Sequence, residues 1–458
     1  MTTDSSKSLL YDLSNLSRIG LVVIFIIELI FIGLSLYKFD LALIYLGAIL
    51  SIVFGLQVLK NLVYGIYGLL FSIFLGPIAV ISMGSKAPQF YFLDLVIILV
   101  GLVFLIQTIQ SFRITQKIII PKIALLFGIF LFYCAVFLFQ STNMTRGIAS
   151  LRPFIAGIMT LLLVYKTVNQ KKIVVSFVNV LTFWGVILSI LIFSTFFHDG
   201  YLHGSEFQKG ANLSWGRSNY LATFLVLLIP ITMSLISCKS LPKKQRFIFV
   251  IATLTMIGGM MMTGSRAGVL AFLVSMIVLI FRILRKKYVI QSITLIIFIV
   301  FVIIKSPAFS FIIEGISNFM LEPSVIARTI AWYRSWDVFT HNPIVGIGIG
   351  NIGYFIGDDS LGLAKPHNFI LKLLGETGII GFVLFSSIIV RLVLVQIKNI
   401  KRIKNESHNL LSWGILAGTV GVLSHAMVEP SFWGYAMMVV FWCVVGLSLA
   451  SFFKILEF

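Results

Sequence analysis

The stretch "KPHNFILKLLGETGIIG" (Lys365–Gly381) decides how the rest of the chain is read. It runs without a break into apolar sequence reaching Gln396, so it opens a helix long enough to cross a bilayer. Yet it begins with a histidine and carries Lys372 and Glu376 into the apolar run. Four residues apart, these two share a helix face and can pair. Such a pair is worth about 0.2–0.5 kcal/mol on an exposed helix, and it matters more where neither ion should enter lipid alone. Glu376 lies about 13 Å from His367 along a straight helix. It can therefore orient the histidine only if the chain bends at Gly375 or Gly378.

The same apolar signal recurs along the chain. Of 458 residues, 59% are hydrophobic and 11% charged, with a mean hydropathy of +1.06, whereas a soluble domain carries about a quarter charged residues. Fourteen runs read as spans: 19–37, 39–59, 62–83, 90–112, 118–139, 148–166, 173–195, 217–238, 246–263, 266–283, 288–306, 368–396, 410–429 and 431–453. The short-looped pairs, at 37–40 and 428–432, leave room for re-entrant segments. The expected fold is an all-α polytopic integral membrane protein with about 12–14 transmembrane helices and one large outer loop containing helices. Its parts are 1–306 (transmembrane helices with short loops), 307–367 (the large outer loop) and 368–458 (C-terminal transmembrane helices). The polar start, Met1–Ser17, has no small-residue cleavage site after it and reads as the lead into an uncleaved first span. Cys134, Cys238 and Cys443 are isolated, without metal-ligand or disulfide spacing, and read as small packing residues.

Charge sets the orientation. With the N-terminus inside, roughly two thirds of the 35 Lys and Arg residues fall on the cytoplasmic side. The net charge of +19 is thus a topology signal rather than a nucleic-acid footprint, which needs a basic face on a soluble module. Both termini are expected in the cytoplasm and the large loop outside. The run "IKNIKRIKNESHN" reads as a basic cytoplasmic loop facing headgroups.

Within the large loop, "PSVIARTIAWYRSWDVFTHNP" (Pro323–Pro343) reads as a helix with Ser324 at its N-cap. Arg328, Trp332 and Ser335 share one face of it and Arg334 points elsewhere. The next segment, "GIGIGNIGYFIG", formally matches a dinucleotide fingerprint. It lacks the βαβ context that motif needs, so close backbone approach to a substrate or neighbouring helix is the better reading. Arg266 sits in a tight Gly-Ser-Arg-Ala-Gly turn between spans, where an arginine and helix N–H groups make a ready anion site. Arg217 opens another span, and Arg152 lies about a turn into one. With His367, these arginines fall at the outer membrane boundary from different parts of the chain. Such a cluster suits a diphosphate, which arginine engages through forked, charge-assisted hydrogen bonds.

Gly-Ser-Arg-x-Gly at a span boundary, Arg328-x-x-x-Trp332 in a large loop, "NPIVGIGIGN" and then "HNFILKLLGETGIIG" together resemble the O-antigen ligase/polymerase superfamily of bacterial envelope polysaccharide assembly. The resemblance implies a glycosyltransferase in the bacterial cytoplasmic membrane, its active site facing outside, that needs neither metal nor cofactor. Its donor would be a glycan on undecaprenyl diphosphate. Its acceptor would be another such glycan in a polymerase, or lipid A core in a ligase. Carried over by position, Arg266 and Arg328 would bind the diphosphate and stabilise it as it leaves, and His367 would be the general base. Arg217, Arg152, Trp332, Asn368 and Glu376 are the substrate-binding candidates, Glu376 being also half of the pair with Lys372. Membrane lipid and other polysaccharide-assembly proteins are the further partners; nucleic acid is not.

A transporter or flippase is the alternative of another class. It would bury ionisable groups near the midplane. Besides Glu376, which has Lys372, and Asp40 and Glu429 at run ends, the acids within the runs are Glu28 and Asp94, neither with an obvious cationic partner in sequence. His425 and Glu429, at the outer end of a late span, read better as a hydrogen-bonded structural pair than as substrate contacts.

Overall fold

The computed structural model describes residues 52–75, 80–81, 90–115, 120–198, 218–284, 323–357 and 365–450. The chain divides into two units, Met1–Tyr64 and Gly65–Phe458. The first contributes helical residues 52–60 to the described set. The expected spans 19–37 and 288–306, Glu28 and Arg217 lie outside the described residues.

The described chain is helical. Its helices are α1 (Val63–Leu75), α2 (Phe92–Thr115), α3 (Lys122–Val136), α4 (Met144–Thr167), α5 (Lys171–His198), α6 (Ser218–Ile236) and α7 (Lys243–Met262). They continue with α8 (Arg266–Leu284), α9 (Pro323–His341), α10 (Ile352–Ile356), α11 (Phe369–Arg402), α12 (Glu406–Ala426) and α13 (Tyr435–Leu449). A two-residue antiparallel pair, Val80–Ile81 with Phe90–Tyr91, precedes α2. Among the described residues seven helices are long and apolar enough to cross a membrane: α2 to α7, with α3 extended by a 3-10 turn to Gln140, and α11. This is a polytopic, all-α membrane protein. Helix α12 falls outside that set because small and polar residues line its buried faces, among them Ser412, Gly414, Gly418, Thr419 and Gly421. It ends at Ala426, so Glu429 lies past the helix in the connecting segment rather than inside a span reaching 429.

Local chemistry explains where the helices start. Asparagine caps α4, α11 and α12: Asn143 accepts from Arg146 N, Asn368 from Leu371 N at 3.0 Å, and Asn405 from Ser407 and His408 N. A short polar side chain in extended conformation satisfies an N–H group that would otherwise face lipid. Packing then relies on close backbone approach. The Gly414, Gly418 and Gly421 stripe of α12 faces α6, where a Cβ on Gly418 would meet Leu227 O at 2.5 Å. Without a hydrophobic driving force between helices in lipid, such thin surfaces are what let them pack. An aromatic cluster draws on α3, α4, α11, α13 and the 3-10 turn Pro430–Trp433. Phe127 and Trp442 have centroids 4.9 Å apart, Phe130 and Phe385 5.1 Å, and Phe369 and Trp433 5.0 Å.

One feature departs from the sequence reading, and a second is a bend that it left open. Asp94 has a cationic partner: Arg152 Nη2 is 2.5 Å from its Oδ2, and Tyr435 donates to Oδ1 at 2.5 Å. The two partners are 58 and 341 residues away in sequence, beyond the reach of any local pattern. Second, α11 is broken at Gly378, whose φ of 61° and ψ of −170° are not helical. The glycine loop before α10 supplies the hydrogen bonds lost there. Ile347 N and Gly348 N donate to the carbonyls of Gly375 and Glu376 at 3.0 Å, and Ile379 N donates to Pro343 O at 2.8 Å. Tyr133 adds a bond from its hydroxyl to Thr377 O at 2.7 Å. The glycines of "GIGIGN" therefore serve close backbone approach to a neighbouring helix, and Gly346, Gly348 and Gly350 all have positive φ.

Candidate active site

Four separate parts of the chain meet at one carboxylate. The turn between α7 and α8 reverses at Gly264 (φ 66°), and Ser265 caps α8 by accepting from Gly268 N at 3.0 Å. The same hydroxyl donates to Asn219 Oδ1 at 2.6 Å, in the first turn of α6. Asn219 Nδ2 donates in turn to Glu429 Oε2 at 2.9 Å. That oxygen is also 3.0 Å from His367 Nδ1. Glu429 is 6% exposed in its side chain and His367 22%, so the ring reaches the surface while its partner does not.

An ionised carboxylate only accepts hydrogen bonds, so Nδ1 of His367 is the donor to Glu429. Burial pushes the Glu429 carboxyl up, but the bonds and charge from His367, with the bond from Asn219, outweigh it and hold Glu429 below its ordinary range. His367 itself has φ 48°, the left-handed region that non-glycine residues rarely occupy. Strain of this kind costs on the order of 1–3 kcal/mol and persists where surrounding bonds enforce it. Here Pro366 before it and the Asn368 cap after it fix the chain on both sides.

Arg266 is the first residue of α8, directly after the Ser265 that joins this network. Arg328 lies on α9, half-buried, near enough to His425 for its charge to act on that ring. His425 is fully buried and meets Thr223 Oγ1 through Nδ1 at 3.0 Å, and Thr223 donates to the Asn219 carbonyl. The two residues expected to pair, His425 and Glu429, therefore lie in one cluster, but the bond of Glu429 is to His367.

The other candidates are placed as follows. Arg152 is engaged by Asp94 and lies over the Tyr435 ring. Asn368 is the α11 N-cap, and its side-chain oxygen is spent on Leu371 N. Glu376 is buried and held by Lys372, with Nζ 2.7 Å from Oε1, while Oε2 has no hydrogen-bond partner among the described residues. Trp332 is half-buried with its indole N–H also unpartnered among them, and Arg334 turns away to donate to Ile356 O at 2.7 Å. Sequence reasoning missed Asn219 and Ser265, and missed Glu429 as the partner of His367. The signal for Glu429 was an acid followed by proline at a span end, which indicates position but not partner. Among the described residues no group of three or more His, Cys, Asp or Glu is placed to hold a metal ion.

Comparison with known families bears on this cluster. Residues 251–386 match the O-antigen ligase family. The matched segment contains Arg266, Arg328 and His367, and it stops before Glu429. The motif resemblance to the O-antigen ligase/polymerase superfamily and the family match thus fall on the same residues. A relative, the teichuronic acid biosynthesis protein TuaE of Bacillus subtilis (strain 168), is 23% identical over 133 residues. That match covers 28% of this chain and 27% of the relative, so the chain matches about a quarter of the relative's length.

Proposed function

We propose that this chain is a metal-independent membrane glycosyltransferase that joins oligosaccharide repeat units carried on undecaprenyl diphosphate, on the outer face of the bacterial cytoplasmic membrane. The observation that carries the proposal is the His367–Glu429 pair, bridged through Asn219 to the Ser265 that precedes Arg266. In this reading His367 Nε2 removes the proton from the acceptor hydroxyl. The resulting oxygen bonds to the anomeric carbon of the donor, and the bond from that carbon to the diphosphate breaks. The electron pair leaves with the lipid diphosphate, whose charge Arg266 and Arg328 stabilise. Glu429 stays ionised, holds the ring in the productive tautomer and stabilises the imidazolium that forms. Arg217 and Trp332 are proposed to contact the glycan or its lipid carrier. Arg152, Asn368 and Glu376 support the site through the bonds described rather than by direct contact.

The relative is named for teichuronic acid biosynthesis and not for ligation, and the polymerase reading is preferred on that ground. A ligase would use the same chemistry with a different acceptor. A flippase would use none of it. The test is the length of the polysaccharide made by cells that carry His367→Ala in place of the native protein. Loss of long chains is expected; an unchanged length distribution would remove the base assignment and revive the flippase reading.

A further inference from the structure

At the ends of α8 and α11 opposite the His367 site lies a cavity of about 700 Å³. Its walls are apolar, with Val278 on α8, Val393 and Ile397 on α11, and Val420 on α12. Its mouth is basic: Arg282 in the last turn of α8 and Lys401 in the last turn of α11, with Lys404 just beyond, face one acid among the described residues, Glu406. Arg282 is 8% exposed, and its Nε donates to Asn409 Oδ1 at 2.9 Å, which fixes a guanidinium against the cavity rather than in bulk solvent. Lys401 and Lys404 are exposed.

We infer that this cavity holds one anionic phospholipid of the leaflet on the basic side of the protein, with its phosphate on Arg282, Lys401 and Lys404 and an acyl chain along the apolar wall. Charge complementarity selects the occupant. Three cations against one carboxylate favour a net negative head over a zwitterionic one, and each Lys or Arg near an anionic headgroup is worth about a fivefold gain in affinity. The apolar wall selects a lipid over a free phosphate, because a small anion would leave that wall without a partner. This site is independent of the glycosyl-transfer reading, since it lies at the far end of the helices that carry His367 and Arg266.

Native mass spectrometry of the purified full chain, titrated with dioleoyl phosphatidylglycerol, dioleoyl phosphatidylcholine or glycerol phosphate, tests the inference. The wild-type protein is expected to retain one phosphatidylglycerol in preference to phosphatidylcholine and to show no retention of glycerol phosphate. Lys401→Gln with Lys404→Gln, at exposed positions where folding is not at stake, should cut the preference about fivefold for each lysine. Arg282→Gln should cut it further. Lys243→Gln with Lys244→Gln, two exposed lysines at the start of α7 on the same side, should leave it intact. Equal retention of the two lipids by the wild-type protein would overturn the site, as would an equal loss in both lysine pairs. Retention of glycerol phosphate as tight as that of the lipid would overturn the lipid assignment.

Discussion

Glu429 sits where two opposing effects meet. Burial alone would favour its neutral form, yet the hydrogen bonds from His367 and Asn219 hold it ionised. A folded pKa below the ordinary 4.5 means that this group contributes stability above that pH and loses it as pH falls through the lower folded value. The melting temperature of the wild-type protein should thus exceed that of Glu429→Gln at neutral pH, with the gap closing in acid; a gap that ignores pH would mean that the carboxylate is not the stabilising species. Glu429→Gln should also slow chain extension by about 10- to 100-fold, the worth of one charged hydrogen bond. The histidine and arginines of this proposal stand out in the sequence as polar residues at the ends of apolar runs, but the bonds of His367 do not. Glu429 is 62 residues from His367 and 210 from Asn219, and no periodic pattern spans such distances.

Among the elements, α11 and the glycine loop form one unit. The loop's N–H groups and carbonyls complete a helix that Gly378 interrupts, so the break is built in. A Cβ at Gly378 would collide with the backbone of Ile344, and its φ of 61° is strained for any other residue. At Gly375 the nearest atom is the flexible end of Ile352. Gly378→Ala should therefore lower stability by about 1–3 kcal/mol in a thermal melt and Gly375→Ala by clearly less; equal effects would deny the loop its structural role. The Lys372–Glu376 pair could be read in advance, since a four-residue spacing on a helix is local information. The helix break could be read only as a bend allowed at Gly375 or Gly378. Its hydrogen bonds come from a loop whose docking the sequence does not encode locally. Lys372→Ala would leave Glu376 buried and unpaired, at a cost of about 3–5 kcal/mol, whereas Lys372→Met with Glu376→Gln should recover most of it.

For the whole molecule, hydropathy located the helices well and charge predicts how they face. The described helices follow the expected spans closely from α2 onward, because spanning a bilayer demands continuous apolar sequence whatever the tertiary contacts. What hydropathy could not give was the ion pair between α2 and α4, which neutralises a membrane acid through contact alone. The three cysteines are buried, so an introduced cysteine reports on its own position. Lys365→Cys should react with a membrane-impermeant maleimide from outside intact cells and Lys243→Cys only after permeabilisation; the reverse pattern would invert the topology. The most direct test of the central claim is to incubate the purified protein, in the presence of a chelator, with an oligosaccharide on undecaprenyl diphosphate. The account predicts longer lipid-linked chains with release of undecaprenyl diphosphate, and about a 10²–10⁴-fold slower reaction for His367→Ala. Undiminished extension by that variant, or an absolute requirement for a divalent ion, would contradict it.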